Sequence, residues 1–333
     1  MLHLTWPARC GRNVRLRPPL AATRYTRIVR RVSGDEPVAR GLRQEVGFRC
    51  PIQGCGSLIL TYHHFDPPWH EREHNEPAGM IALCQTCHAK AEGGAWTKDQ
   101  LRTFKQFPGR HTRTEERLLY LEPEKRVLYR LGGVYAICRV GIQVNDTPLF
   151  WEETGPDGVL LFSFDLNGDD SGRLLRVRQN SLSVDELQFW DFHLNTRGNH
   201  LIARRRKGDI FLDLHIAHVT ISELKELATR DGRMGRTSFL KRLQPERRGF
   251  FSQSAPASAL NGTAIETIRN VCLLSDDRVT LIDFRTATFR SGAAQILVRN
   301  GLAIDKSRFE ASFFCVPGGV MLRLNTPSQT ASG

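Results

Sequence analysis

The stretch from Cys50 to Lys90 reads CPIQGCGSLILTYHHFDPPWHEREHNEPAGMIALCQTCHAK and holds five of the chain's eleven histidines and four of its eight cysteines. Neither an ordinary core nor an ordinary surface collects those two residue types, so the concentration points to metal chemistry. Cys50-x4-Cys55 and Cys84-x2-Cys87 form two knuckles separated by 28 residues. Zinc takes four thiolates tetrahedrally, two from each tight turn. Gly54 and Gly56 relieve the backbone where the first knuckle folds back on itself. Four thiolates close the coordination shell, which makes this Zn2+ structural, with no open position for water.

The histidines are then surplus to the zinc. His63 and His64 follow LILTY, a strand-like run, so their side chains leave the backbone in opposite directions. One can ligate a metal while its neighbour, aimed away, stays free as a base. His88 directly follows the second knuckle, where a helix is expected to begin. A closed zinc site would pin the strand carrying His63 and His64 to the helix carrying His88. His70 and His74 read as exposed loop residues near substrate, with assistance to the reaction as the alternative. Asp66 either caps the turn before Pro67 and Pro68, or orients an imidazole or meets the metal through water.

YHHFDP and MIALCQTCH, with a cysteine knuckle on either side, resemble the HNH endonuclease family over roughly residues 37–105. The resemblance implies a ββα-metal core, a β-hairpin followed by a helix around one divalent cation. It implies His63 and His88 as ligands of that cation, and His64 as the general base that takes a proton from the attacking water. The cation would bind a non-bridging oxygen of the scissile phosphate and the leaving 3′ oxygen. Mg2+ is the expected ion, although two imidazoles favour Mn2+, Ni2+ or Zn2+ in raw affinity. One position departs from the family. The asparagine expected five residues before Cys84 is Gly79 here, and the nearest asparagine is Asn75. Either the loop presents Asn75 from a shifted position or the hairpin does without it.

The elements that must position these residues can be read around them. Val38, Leu42 and Val46 lie four apart, on one face of a short helix that enters the cluster. Thr97 reads as the N-cap of a helix that runs to Pro108. Residues 36–108 thus form one zinc-stapled domain, preceded by a basic leader over 1–35 and followed by a linker over 109–117. From 118 the pattern changes to short runs rich in Val, Ile, Leu and Phe, separated by NDTP, GPDG, NGDDSG and KGD. The fold class expected is α+β: the small N-terminal domain, then a larger, mostly antiparallel β-rich domain, sandwich or barrel-like, over 118–221 and 263–325. Residues 222–262 interrupt it as a basic, partly helical insert and small-residue linker. FWDFHL at 189–194 puts Trp190 and Phe192 on one strand face, as core.

Composition bounds the partners. The formal charge is +12, and residues 1–50 carry eleven arginines against three acids. That favours a polyanion, DNA before any membrane, and no apolar run approaches the roughly 18–20 residues that span a bilayer. The leader suits a phosphate-binding arm, a mitochondrial-type transit segment or a disordered extension. Arg204, Arg205, Arg206 and Lys207 in RRRKGD, and Arg233, Arg236, Lys241 and Arg242 in the insert, are candidate phosphate contacts or solvated charges. The β-rich region would recognise a target, sense a ligand or regulatory partner, or build a homo-oligomer. A nuclease paired with such a region suggests restriction or phage defence in a bacterial cytoplasm, with a mitochondrial protein as the alternative. The competing function is a catalytically inactive, zinc-stapled nucleic-acid-binding protein.

Overall fold

In a computed structural model the chain is mostly β-sheet with few helices. The structure describes residues 31, 37–109, 115–117, 127–156, 158–167, 173–184, 189–233, 251–253, 278–291, 294–299, 302–305, 310–313 and 320–325. Among these no helix is long and apolar enough to cross a membrane.

The N-terminal part is small. Helix α1 (Pro37–Glu45) buries Leu42 and leads into Val46, both in the core of this part. Strand β1 (Thr61–His64) pairs antiparallel with β2 (Met80–Leu83), with His64 opposite Met80 and Thr61 opposite Leu83. Helix α2 (Gln85–Glu92) follows β2 directly, and helix α3 (Lys98–Gln106) packs against the same hairpin. The α3 start is written locally. Thr97 Oγ1 accepts from the Gln100 N–H at 3.2 Å while the Gln100 side chain accepts from the Thr97 N–H at 2.9 Å, a reciprocal capping box.

The rest is two sheets facing each other. In the eight-stranded sheet, Val140–Val144, Thr147–Thr154, Leu160–Asn167 and Arg173–Arg178 run antiparallel in chain order, and Val320–Asn325 joins parallel to Val140–Val144. The nine-stranded sheet is built around Arg278–Ser291, which pairs antiparallel with Asp209–Thr220 and parallel with Val127–Leu131. One core fills the space between the sheets. Phe150 and Phe164 of the first sheet meet Phe284 of the second at ring separations of 5.1 and 5.5 Å. The expected insert holds helix α4 (Ile221–Arg233), and its later part includes strand Phe251–Gln253.

The small part sits against the edges of both sheets. Phe48 and Leu58 are buried in the core of the sheets rather than in their own. Ile59 forms a parallel bridge with Leu194. Glu116, in strand Glu115–Arg117 at the edge of the eight-stranded sheet, accepts from Ser57 Oγ at 2.7 Å and the Leu58 N–H at 3.1 Å. The stretch expected as a linker therefore ends in a paired strand; residues 110–114 lie outside the described residues. Of FWDFHL, Phe192 is core, whereas Trp190 is half-buried with the Arg40 guanidinium 4.2 Å over its ring.

Candidate metal centres

The first knuckle turns back through Gly54 and Gly56, whose φ angles of 79° and 64° lie in the left-handed region that glycine enters at no steric cost. The second knuckle is also the start of α2: Cys84 is its N-cap, and its sulfur accepts from the Cys87 N–H at 3.4 Å. These turns bring Cys50, Cys55, Cys84 and Cys87 together, with all four sulfurs within 4.8 Å of one another and Cys55 Sγ 3.5 Å from Cys84 Sγ. Four sulfurs bound tetrahedrally at about 2.3 Å lie about 3.8 Å apart, so the set fits zinc. The thiols by themselves are electrostatically unequal. A hydrogen bond from the Cys50 thiol pulls Cys84 down to about 5. That bond, with burial, pushes Cys50 up, and burial pushes Cys87 up to about 12. A dication bound among them would permit all four to ionise.

The histidines gather on the other side of α2. Thr61 and His63 share one face of β1, two residues apart. The His63 ring lies 5.0 Å from that of His88, and Glu92, one turn further along α2, reaches His88 Nε2 at 3.4 Å. Each of these three residues offers a donor atom within 4.8 Å of the others. Thr61 fixes the tautomer. Its hydroxyl donates to the Leu83 carbonyl at 3.1 Å, so toward His88 Nδ1 at 2.9 Å it accepts, leaving the Nε2 lone pair for a metal. Burial lowers the His63 pKa to about 4 and lowers that of His88, so both present neutral imidazoles at neutral pH. Two imidazoles and a carboxylate suit a divalent cation with positions left for oxygen ligands.

His64 faces the opposite way. Its ring lies 4.7 Å from that of Trp69 and 5.1 Å from that of His74. Its Nε2 is buried with no hydrogen-bond partner among the described residues. Burial and the neighbouring His74 lower its pKa, while the nearby Asn75 side chain and the His74 backbone act to raise it. A cleft of ≈ 450 Å³ holds His63, His64, Trp69, His88, Glu92 and Lys98 in its lining. The leader's one described residue, Arg31, lies over Trp69 at 5.2 Å.

Other expectations need correction. His74 is not an exposed loop residue but only 5 % exposed: its Nδ1 accepts from the Glu76 N–H at 3.2 Å, so its Nε2–H donates to the Pro67 carbonyl at 2.8 Å. That residue locks the loop. His70 is 81 % exposed at the rim of the cleft. Among the described residues Asp66 neither caps its turn nor meets an imidazole; its carboxylate pairs with Lys98 at 3.0 Å and with Arg102, both on α3. Arg204 is not a solvent-facing phosphate contact, because its Nη1 holds Asp191 at 2.7 Å. Arg205 pairs with Asp209 at 3.3 Å and lies over Phe211, whereas Arg206 is 74 % exposed and Lys207 is exposed at the hairpin turn. The Arg233 side chain, Arg236, Lys241 and Arg242 lie outside the described residues. Glu92 was missed, although a carboxylate at i+4 from a helical metal-binding histidine shares its face.

No protein-family model matches the chain, and neither a curated protein nor a solved structure is significantly similar to it.

Proposed function

We propose that the chain is a metal-dependent endonuclease of the HNH type that hydrolyses DNA phosphodiester bonds. The observation that carries this reading is the meeting of His63, His88 and Glu92 in one cleft that His64 also lines. In this reading β1, β2 and α2 form the ββα-metal core, and the four-cysteine zinc site clamps its two ends. His63, His88 and Glu92 hold Mg2+ or Mn2+. When bound, that cation supplies Lewis acidity at the scissile phosphate and at the leaving 3′ oxygen. His64, neutral at physiological pH, takes the proton of the attacking water at Nε2. Asn75, whose side chain lies near the same ring, is the candidate to orient it, the task of the HNH asparagine absent at position 79. The +12 charge supports a polyanionic substrate. Restriction or phage defence in a bacterial cytoplasm remains the setting that suits such a pairing of parts.

The test is plasmid cleavage by the intact, zinc-loaded chain with Mg2+ or Mn2+. We expect metal-dependent cutting that falls by at least about 100-fold in His64→Ala, the scale of a lost general base, with Mn2+ affinity retained. Glu92→Gln is expected to weaken Mn2+ binding and to need more metal for cutting. DNA binding without cutting, in wild type and His64→Ala alike, would instead favour the inactive zinc-stapled binder.

A further inference from the structure

The polar face of α1 is a docking face. Arg40, Arg43 and Gln44, spaced i, i+3 and i+4, all point to one short piece of the nine-stranded sheet. Arg40 covers the Trp190 ring at 4.2 Å and the Gln44 side chain donates to the Trp190 carbonyl at 2.5 Å. Arg43 Nη2 and Nε reach Asp191 Oδ1 at 2.7 and 3.2 Å, with both side chains only 1 % exposed. Arg204, on the neighbouring strand His200–Arg206, takes the other carboxylate oxygen. One carboxylate of the sheet thus holds two guanidinium groups, one from each part of the molecule.

The contact continues into the histidine cleft. Arg43 Nη1 donates to the Tyr62 hydroxyl, and Tyr62 precedes His63 and lines the cleft. The strand that carries Asp191 also carries Leu194, whose bridge to Ile59 fixes the chain two residues before β1 begins. A single four-residue strand therefore sets β1 from two directions. Burying a charge this deeply is costly unless its partners are fixed in place. Tying the two parts together needs no such charge, since Phe48 and Leu58 already do so through the apolar core.

We infer that Asp191 is a positioning residue for the histidine site: acting through Arg43 and Tyr62, it sets the placement of β1 and hence of His63 against His88. The β-rich region is then part of the metal site's scaffold, and a ligand or partner that shifts strand Asp191–Leu194 alters the cleft by this route. The inference rests on the proposed histidine metal site, and its test separates the two.

Mn2+ binding is measured on the intact, zinc-loaded chain for wild type, Asp191→Asn, Tyr62→Phe and the double variant, with zinc content checked for each. We expect one Mn2+ site in wild type, weakened about tenfold in each single variant, the low end for residues that orient metal ligands without touching the ion. The double variant should be no weaker than the worse single one, because both changes break the same connection. A general loss of packing would instead make the two effects multiply. Unchanged Mn2+ affinity in Tyr62→Phe, or effects that multiply, overturns the inference while leaving the metal site intact. Asp191→Asn that fails to fold leaves Tyr62→Phe to decide. Absence of any Mn2+ site in wild type overturns both readings.

Discussion

Gly79 shows what one residue can and cannot reveal. The HNH pattern that this segment resembles has asparagine there, yet a Cβ at position 79 would lie 1.9 Å from the Asp66 carbonyl oxygen and 3.0 Å from the His74 ring. The Gly79 carbonyl also accepts from the Phe65 and Asp66 N–H groups at 2.9 and 3.2 Å, so the backbone cannot withdraw without breaking them. Placing asparagine at position 79 should therefore harm the protein. Gly79→Asn is expected to destabilise by about 1–3 kcal/mol, the usual cost of overpacking, seen as a lower melting temperature. An unchanged melt would show that the loop yields. The sequence displayed the gap and the nearby Asn75, but not that the loop brings the Asn75 side chain near His64, because the loop's path depends on His74 being locked between Pro67 and Glu76. Glu92 was legible in principle from its spacing to His88 alone.

At the scale of elements, local signals read well where they are self-contained. The α3 capping box, the two knuckles and the apolar face of α1 are each complete within a few neighbouring residues. Because Cys84 belongs to the four-cysteine cluster and is also the N-cap of α2, a zinc ion bound there would hold the start of the helix that presents His88 and Glu92. Stripping the zinc with a strong chelator should thus loosen α2 and expose the whole cluster to reagent. We expect four additional thiols to react with a chromogenic thiol reagent after chelation, while Cys138, 2 % exposed between the sheets, stays protected in the folded chain. A rise of fewer than four would mean that the sulfurs do not share one ion. Co2+ added back should restore the protection, since the thiolates rather than zinc itself define the site.

Over the whole molecule, the alternation of strands and turns announced a β-rich region, but not how the sheets close. Val320–Asn325 beside Val140–Val144, and Arg43 on Asp191 across 148 positions, are pairings for which neither local stretch carries a mark. Read locally, Arg40, Arg43 and Gln44 look like a solvated helix face, and residues 109–117 like a hinge between independent domains. The contacts argue for one cooperative body instead. Cut out as residues 37–109, the small part would expose Phe48 and Leu58 and lose every partner of α1 in the nine-stranded sheet. Each such side chain contributes about 1.5–3 kcal/mol when buried. Losing both, about 3–6 kcal/mol, reaches the low end of the roughly 5–15 kcal/mol that stabilises a whole domain. We expect the zinc-loaded 37–109 fragment to melt broadly and far below the intact chain by circular dichroism, even though it keeps all four cysteines of the cluster and all four histidines that line the cleft. A sharp transition of the fragment at the intact chain's temperature would show that the small part folds on its own, with the sheets as an attachment.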